Sequence, residues 1–236
     1  MPPIRPVVSL LALLAALTRP AASQPVTTFD RDKAVTLLRE RLPCLGCHAL
    51  GSEGGRLAPD LATVGTRRSA AYVAAMIDDP QRVVPGTIMP RTLMPASSRA
   101  LVVRYLTAGA TASGPPPVAQ AAPPIDTSGA RLYARLCAGC HGTGGAGDGP
   151  NARFLPVPPA VHASRAAMST RTDDRLYDAI AGGGELLGRN ARMPAFGATL
   201  TPAQIRALVR QIRTLCACAG PSWSADGETM TAHPRP

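Results

Sequence analysis

Two copies of one short motif constrain this chain more than any other feature. The motif is Cys-x-x-Cys-His, and it stands at residues 44–48 and again at residues 137–141. Two thiols and an adjacent imidazole at this spacing can serve as zinc ligands, as a redox dithiol or as an attachment site for a c-type haem. A zinc site would need both thiol pairs to converge on one metal, and a thioredoxin-like dithiol needs a βαβ setting that this sequence lacks. The sequence therefore predicts one haem at each motif.

Within each motif, the cysteines and the histidine have different roles in holding such a haem. Two thiols three residues apart can add across the two vinyl groups of one haem, and the histidine that follows binds the iron through a ring nitrogen. We therefore predict two covalently attached haem c groups as cofactors. The predicted attachment residues are Cys44, Cys47, Cys137 and Cys140, and the predicted iron-binding histidines are His48 and His141.

A methionine before a proline is the candidate sixth ligand in the second half. Met193 lies 52 residues after His141 and shortly before the last predicted helix. A thioether ligand raises the reduction potential of a histidine-ligated haem. The alternative is that Met193 only fills the core, as methionine often does.

The first half offers two such methionines. Met89 lies 41 residues after His48, and Met94 follows five residues later. We predict Met89 as the iron ligand because the preceding Pro85-Gly86 can carry a loop across the haem face. Met94 lies close to the start of a predicted helix and remains the alternative.

The order of predicted elements repeats, which indicates two domains. We assign residues 1–23 to a signal peptide, 24–110 to the first domain, 111–126 to a linker, 127–219 to the second domain, and 220–236 to a disordered tail. The linker is rich in proline and alanine and cannot form a core. Helical periodicity, caps and prolines predict three helices per half, at 30–42, 69–77 and 97–106, then at 128–136, 172–181 and 201–215. No segment shows sustained strand alternation, so the predicted fold class is all-α.

Composition fits short helices around large cofactors. Aromatic residues make up only 3% of the chain, and proline and glycine number 25 and 22. Two haems would supply the large flat apolar groups that the side chains lack, and the prolines and glycines predict long irregular loops.

The N-terminus predicts export. Arg5 precedes an apolar run over residues 7–17, and Ala21-Ala22-Ser23 forms a small-residue cleavage site. The run is short for a bilayer span, so we expect cleavage and a periplasmic protein, with an uncleaved anchor as the alternative. No other segment is long and apolar enough to predict a membrane span.

The chain carries a formal net charge of +10, and +8 without the two arginines of residues 1–23. Such a surface can attract acidic protein partners or anionic lipid, or it can serve solubility alone. Nucleic acid is not an expected partner, because the chain is exported and its basic residues form no run.

Both halves resemble class I cytochrome c domains, over residues 29–108 and 127–215. The resemblance depends on the two motifs with their surroundings. In the first half these are Gly54-Gly55, residues 58–61, Val64-Gly65, residues 85–90 and residues 101–106; in the second they are Gly129, Tyr133, Gly142, residues 147–150 and residues 193–196. It implies that the first and last helices of each domain cross and that the haem lies in a crevice between loops. It also implies that the carbonyl of Pro59 orients His48, and that Pro158 or Pro159 does the same for His141.

Some residues depart from that pattern or stand outside it. The last helix of such domains usually carries an aromatic residue at the crossing; Tyr105 fits, but Gln211 stands there in the second half. Cys216 and Cys218 remain open between an intramolecular disulfide, an intermolecular bond or partner contact, and haem ligation. We expect His162, in a proline-rich loop, to be a surface residue.

The predicted function is electron transfer between redox protein partners, from a dehydrogenase or quinol-oxidising complex to an oxidase or reductase. Iron held by histidine and methionine has no open position for a substrate, so we predict no enzymatic activity. A second reading is a cytochrome subunit of a larger periplasmic oxidoreductase. A third is a dihaem enzyme, either a peroxidase or one that oxidises sulfur compounds.

Overall fold

A computed structural model of the chain describes residues 25–110, 112, 114 and 128–224. The predicted signal peptide, nearly all of the linker and most of the tail lie outside these residues. Within the described ranges, no helix combines the length and the hydropathy that crossing a membrane requires.

Residues 25–110 form short helices joined by loops. The α-helices are α1 (Thr28–Thr36), α2 (Cys44–Cys47), α3 (Ala70–Asp78), α4 (Pro80–Val83) and α5 (Ala96–Leu106). A π-helical turn, Leu37–Arg41, continues α1, and a 3-10 helix covers Leu61–Thr66. A small antiparallel hairpin pairs Ala49–Leu50 with Glu53–Gly54. The hairpin was not predicted, because strands of two residues are too short to show alternation.

Residues 128–224 repeat this order without the hairpin. The α-helices are α6 (Gly129–Leu136), α7 (Ala138–His141), α8 (Arg165–Met168), α9 (Asp173–Leu186) and α10 (Pro202–Cys216), with a 3-10 helix over Ala152–Phe154. The helical content agrees with the predicted all-α class, apart from the small hairpin.

Several helix starts were predictable because their caps are local. The side chain of Ser69 accepts from the backbone N–H of Tyr72 at the start of α3. Thr201 begins α10 through a capping box with Gln204, and Pro202 occupies the first helical position. The helix expected to stop at residue 181 is interrupted close to that point, because Gly183 has a non-helical conformation with φ at 73°, and a further turn then extends α9 to Leu186.

The first and last helices of each half pack against each other, as the resemblance implied. In the second half they approach closely at Gly129, where an added Cβ would lie 2.2 Å from the carbonyl oxygen of Ala207. The same Cβ would lie 3.3 Å from the Cβ of Gln211, so this crossing uses a glycine on one helix and no aromatic ring on the other.

Each half buries its own apolar cluster. The first half buries six residues around α1, α3 and α5: Leu38, Leu42, Val73, Ile77, Val102 and Leu106. The second half buries a larger set, which includes Leu132, Tyr133, Met168, Ile180, Phe196, Ile205, Leu208 and Ile212. In both halves the Cys-x-x-Cys-His segment follows the first helix, so the core helices hold the start of the motif.

Candidate haem sites

The second motif is held by the junction of α6 and α7. Cys137 ends α6, and its carbonyl accepts from the backbone N–H groups of Cys140 and His141. The Nδ1 atom of His141 donates to the carbonyl of Ala160 at 2.9 Å. The prediction of Pro158 or Pro159 in this role was therefore wrong by one or two positions. With Nδ1 occupied, Nε2 is the nitrogen left to bind a metal.

His162 is buried, which contradicts the expectation of a surface residue. Its ring stacks on the ring of His141, with centroids 4.1 Å apart and planes 12° from parallel. Its Nδ1 shares a hydrogen bond of 2.9 Å with the hydroxyl of Tyr133. Burial, with smaller effects from His141 and Arg171, lowers the pKa of His162 to about 3, so the ring is neutral. The loop that supplies Ala160 bends towards the interior after that residue, which places His162 in a buried position.

The first motif has the equivalent histidine contact at the predicted residue. The Nδ1 atom of His48 donates to the carbonyl of Pro59 at 2.7 Å. The next residue, Asp60, caps the following 3-10 helix by accepting from the N–H of Ala62. The hydrogen bonds that Asp60 accepts from the N–H groups of Ala62 and Gly51 hold the pKa of its carboxyl below the usual range. The cap therefore fixes the loop that orients His48.

All four motif thiols are free and protonated. Burial raises the pKa of Cys44 to about 11 and that of Cys137 to about 12. Burial, then the nearby thiols of Cys140 and Cys44, raises the pKa of Cys47 to about 12. Burial also raises the pKa of Cys140. Free thiols with a neutral imidazole beside them fit addition to haem vinyl groups.

Met193 lies on a loop that α9 holds by backbone hydrogen bonds. The N–H of Gly184 donates to the carbonyl of Met193 at 3.0 Å, and Phe196 and Gly197 donate to carbonyls of α9 at 2.9 Å each. Gly183 permits this approach, because a Cβ there would lie 2.8 Å from the Met193 carbonyl and its φ is positive. The loop is thus fixed beside the core of the second half.

The two candidate methionines of the first half have different surroundings. The backbone of Met89 is held by Gln81, which donates to its carbonyl at 2.6 Å, and by the hydroxyl of Thr87. Met94 packs against the apolar cluster of the first half. Met94 and Met193 also line one cavity of about 480 Å³ between the two halves. These contacts are compatible with either methionine facing a haem.

Cys216 and Cys218 form an intramolecular disulfide at the end of α10. This is the first of the alternatives that the sequence left open. The pairing becomes possible because Ala217 between them adopts a left-handed conformation, with φ at 46°.

Comparison with known proteins bears on the second half. Residues 125–211 match the family model described as Cytochrome C oxidase, cbb3-type, subunit III. The second half carries a cytochrome c domain. Such a domain implies a covalently bound haem c, and residues 137–141 lie inside the matched range. The match covers 87 of the 236 residues and does not extend to the first motif.

No curated protein matches the chain. One solved structure is similar, a chain of the reducing HAO-like protein complex from Kuenenia stuttgartiensis. It is 20% identical over 80% of this chain and 96% of that chain, with a TM-score of 0.31. A TM-score this low supports no conclusion about fold or function.

Sequence reasoning missed two residues that lie between the halves. Asn151 is 1% exposed and contacts both motifs. Arg192 is 9% exposed, and its side chain lies 3.5 Å from a carboxylate oxygen of Glu53. Neither residue belongs to a recognisable motif, and their burial depends on how the halves meet. Their only sequence signal was position, since each lies close to a predicted haem ligand or motif.

Proposed function

We propose that this protein transfers electrons in the periplasm through two covalently attached haems. Each haem is bound by histidine and methionine: His48 and Met89 in the first half, His141 and Met193 in the second. The protein acts as a carrier between respiratory complexes. The observation that carries the proposal is the arrangement of two free thiols beside a carbonyl-oriented histidine, found at both motifs.

The chain's own residues prepare each site for reversible one-electron chemistry. When bound, the haem supplies the redox-active iron. The carbonyls of Pro59 and Ala160 fix the histidine rings through Nδ1, which directs Nε2 to the metal. Burial lowers the pKa of His48 and of His141, so both rings stay unprotonated and able to bind metal. Cys44 and Cys137 pack against the apolar clusters of their halves, and burial of a haem there would favour the less charged, reduced iron.

A subunit role within a larger oxidoreductase is the second candidate. The family model that matches residues 125–211 describes a subunit of an oxidase, and that observation favours this reading. The basic surface suits an acidic partner in either case. Stable co-purification with a second protein from the native membrane or periplasm would favour the subunit over the free carrier.

The sixth ligands give the sharpest test of a carrier. In Met193→His the potential of the second haem should fall and its thioether-to-iron charge-transfer band should disappear, because a harder nitrogen ligand replaces sulfur. Met89→His should have the same effect on the first haem, with Met94→His as the matched control. If Met94→His changes that spectrum and Met89→His does not, the ligand assignment in the first half is wrong.

Carbon monoxide distinguishes a carrier from an enzyme with an open site. The reduced protein should bind carbon monoxide weakly, since a methionine must first leave the iron. Rapid stoichiometric binding at one haem would contradict the carrier proposal and favour catalysis there.

A further inference from the structure

The two Cys-x-x-Cys-His segments meet through one buried residue, which forms hydrogen bonds to both. Asn151 follows the second motif by ten residues and is 1% exposed. Its backbone N–H donates to the carbonyl of Gly139, the middle glycine of the second motif, at 2.9 Å. Its side-chain Nδ2 donates to the carbonyl of Gly46, the middle glycine of the first motif, at 2.6 Å. The equivalent carbonyls of both motifs thus have the same partner.

The Asn151 amide is fully used by this bridge. Its Oδ1 accepts from the backbone N–H of Arg56 in the first half at 2.7 Å. Its Nδ2 also lies 3.4 Å from the Sγ of Cys140 in the second motif. A buried amide that loses such partners leaves unsatisfied groups, which makes the bridge costly to break.

The middle glycines allow atoms of the other half to approach, backbone at Gly46 and a side chain at Gly139. A Cβ on Gly46 would lie 2.0 Å from the carbonyl oxygen of Arg192, the residue before Met193. A Cβ on Gly139 would lie 2.7 Å from the side chain of Leu57 in the first half. A larger residue at Gly46 would have to displace the backbone of Arg192, whereas at Gly139 only the flexible end of the Leu57 side chain would have to move.

We infer that the two haems exchange electrons directly across the contact between their attachment segments, and that Asn151 holds this contact closed. The inference depends on the proposed function, since it requires a haem at both motifs. Thioether bonds to Cys44 and Cys47, and to Cys137 and Cys140, would tie each haem to its segment, so the Asn151 bridge would hold the two attachment points near each other. Electron transfer through packed protein slows steeply with distance, and a closed contact keeps the path short.

The exchange needs no further reactant. With haem bound at both motifs, one electron would pass from reduced iron at one site to oxidised iron at the other, with no bond broken and no proton transferred. The chain therefore acts as one two-electron store, which can accept an electron at one haem and release it from the other.

The test follows electrons within the full-length holoprotein after a light pulse reduces part of it. Wild-type protein should show a second phase, in which the two haems equilibrate at a rate independent of protein concentration. Asn151→Leu should lose that phase while keeping both haems and their separate absorption spectra. Thr199→Ala is the matched control, because it removes a different hydrogen bond between the halves, the 2.9 Å contact from the Arg91 N–H. The control should keep the phase.

A second measurement keeps the inference falsifiable if Asn151→Leu does not fold. Fully oxidised wild-type protein should show magnetic coupling between the two irons in its electron paramagnetic resonance spectrum. The coupling should vanish in Cys137→Ser/Cys140→Ser, which carries one haem. If the wild-type protein carries two haems but shows neither the coupling nor the concentration-independent phase, this inference is wrong and the proposed function is not affected. A wild-type protein with one haem overturns the proposed function as well.

Discussion

His141, which we propose binds iron in the second half, is oriented from two sides. Ala160 accepts from its Nδ1, and the ring of His162 stacks on its face. A stacked neighbour restricts rotation of the imidazole about the bond that leads to the iron, and the plane of that imidazole influences the electronic structure of a haem. His162 is thereby a positioning residue that acts through His141.

His162→Ala should shift the electron paramagnetic resonance g-values of the second ferric haem, because His141 loses its stacking partner. His162→Phe should restore them towards wild type, since it returns a flat ring. The His162→Phe variant leaves the buried hydroxyl of Tyr133 without its partner, so its free energy of unfolding should fall by about 1–3 kcal/mol. Adding Tyr133→Phe should recover most of that stability. Identical g-values in the wild type and His162→Ala would show that the stack does not orient His141.

Some residue-scale features could be predicted from sequence and others could not. The contact from His48 to Pro59 was predictable from the resemblance, because the spacing of residues 44–61 follows the family pattern. The partner of His141 was missed because residues 158–160 offer three successive carbonyls, and only the path of the loop selects Ala160. The burial of His162 was missed for the same reason, since a proline-rich loop gives no local sign of where it turns inward.

At the scale of elements, the crossing of α6 and α10 depends on a missing side chain. Gly129 lies at the start of α6, and the carbonyl of Ala207 occupies the space that a Cβ would need. The sequence predicted α10 through Thr201 and Pro202, because caps are local signals, and α6 through its place in the repeat. It also showed Gln211 where such domains usually carry an aromatic residue, but it did not show how closely the two helices approach.

Gly129→Ala should lower the free energy of unfolding by about 1–3 kcal/mol, because the helices must move apart to admit the methyl group. The better helix propensity of alanine, worth about 1 kcal/mol at most, opposes this loss only in part. Gly144→Ala is the matched control, since a Cβ there meets no atom within 4 Å. Denaturant unfolding of the holoprotein measures the free energy of unfolding of both variants. A stability for Gly129→Ala equal to that of the control would show that the crossing is looser than the structure has it.

At the scale of the whole molecule, the two halves have separate cores but a shared polar contact. The contact includes the Asn151 bridge, a cation–π pair of Arg56 with Phe154 at 5.5 Å, and a hydrogen bond from Arg135 to the carbonyl of Gly86. The sequence predicted most of the helices that build the two cores, because their periodicity and caps are local signals. It gave no information on how the halves meet, because that depends on pairs of residues far apart in the chain.

The account depends most on there being two haems, one at each motif. Mass spectrometry of the intact, denatured protein, expressed with a haem-attachment system and exported, measures this directly. The wild type should carry the mass of two covalently bound haems. Cys137→Ser/Cys140→Ser should carry one, and so should Cys44→Ser/Cys47→Ser, because each pair of thiols attaches its own haem. A wild type with a single haem, or a double variant that retains two, would contradict the account.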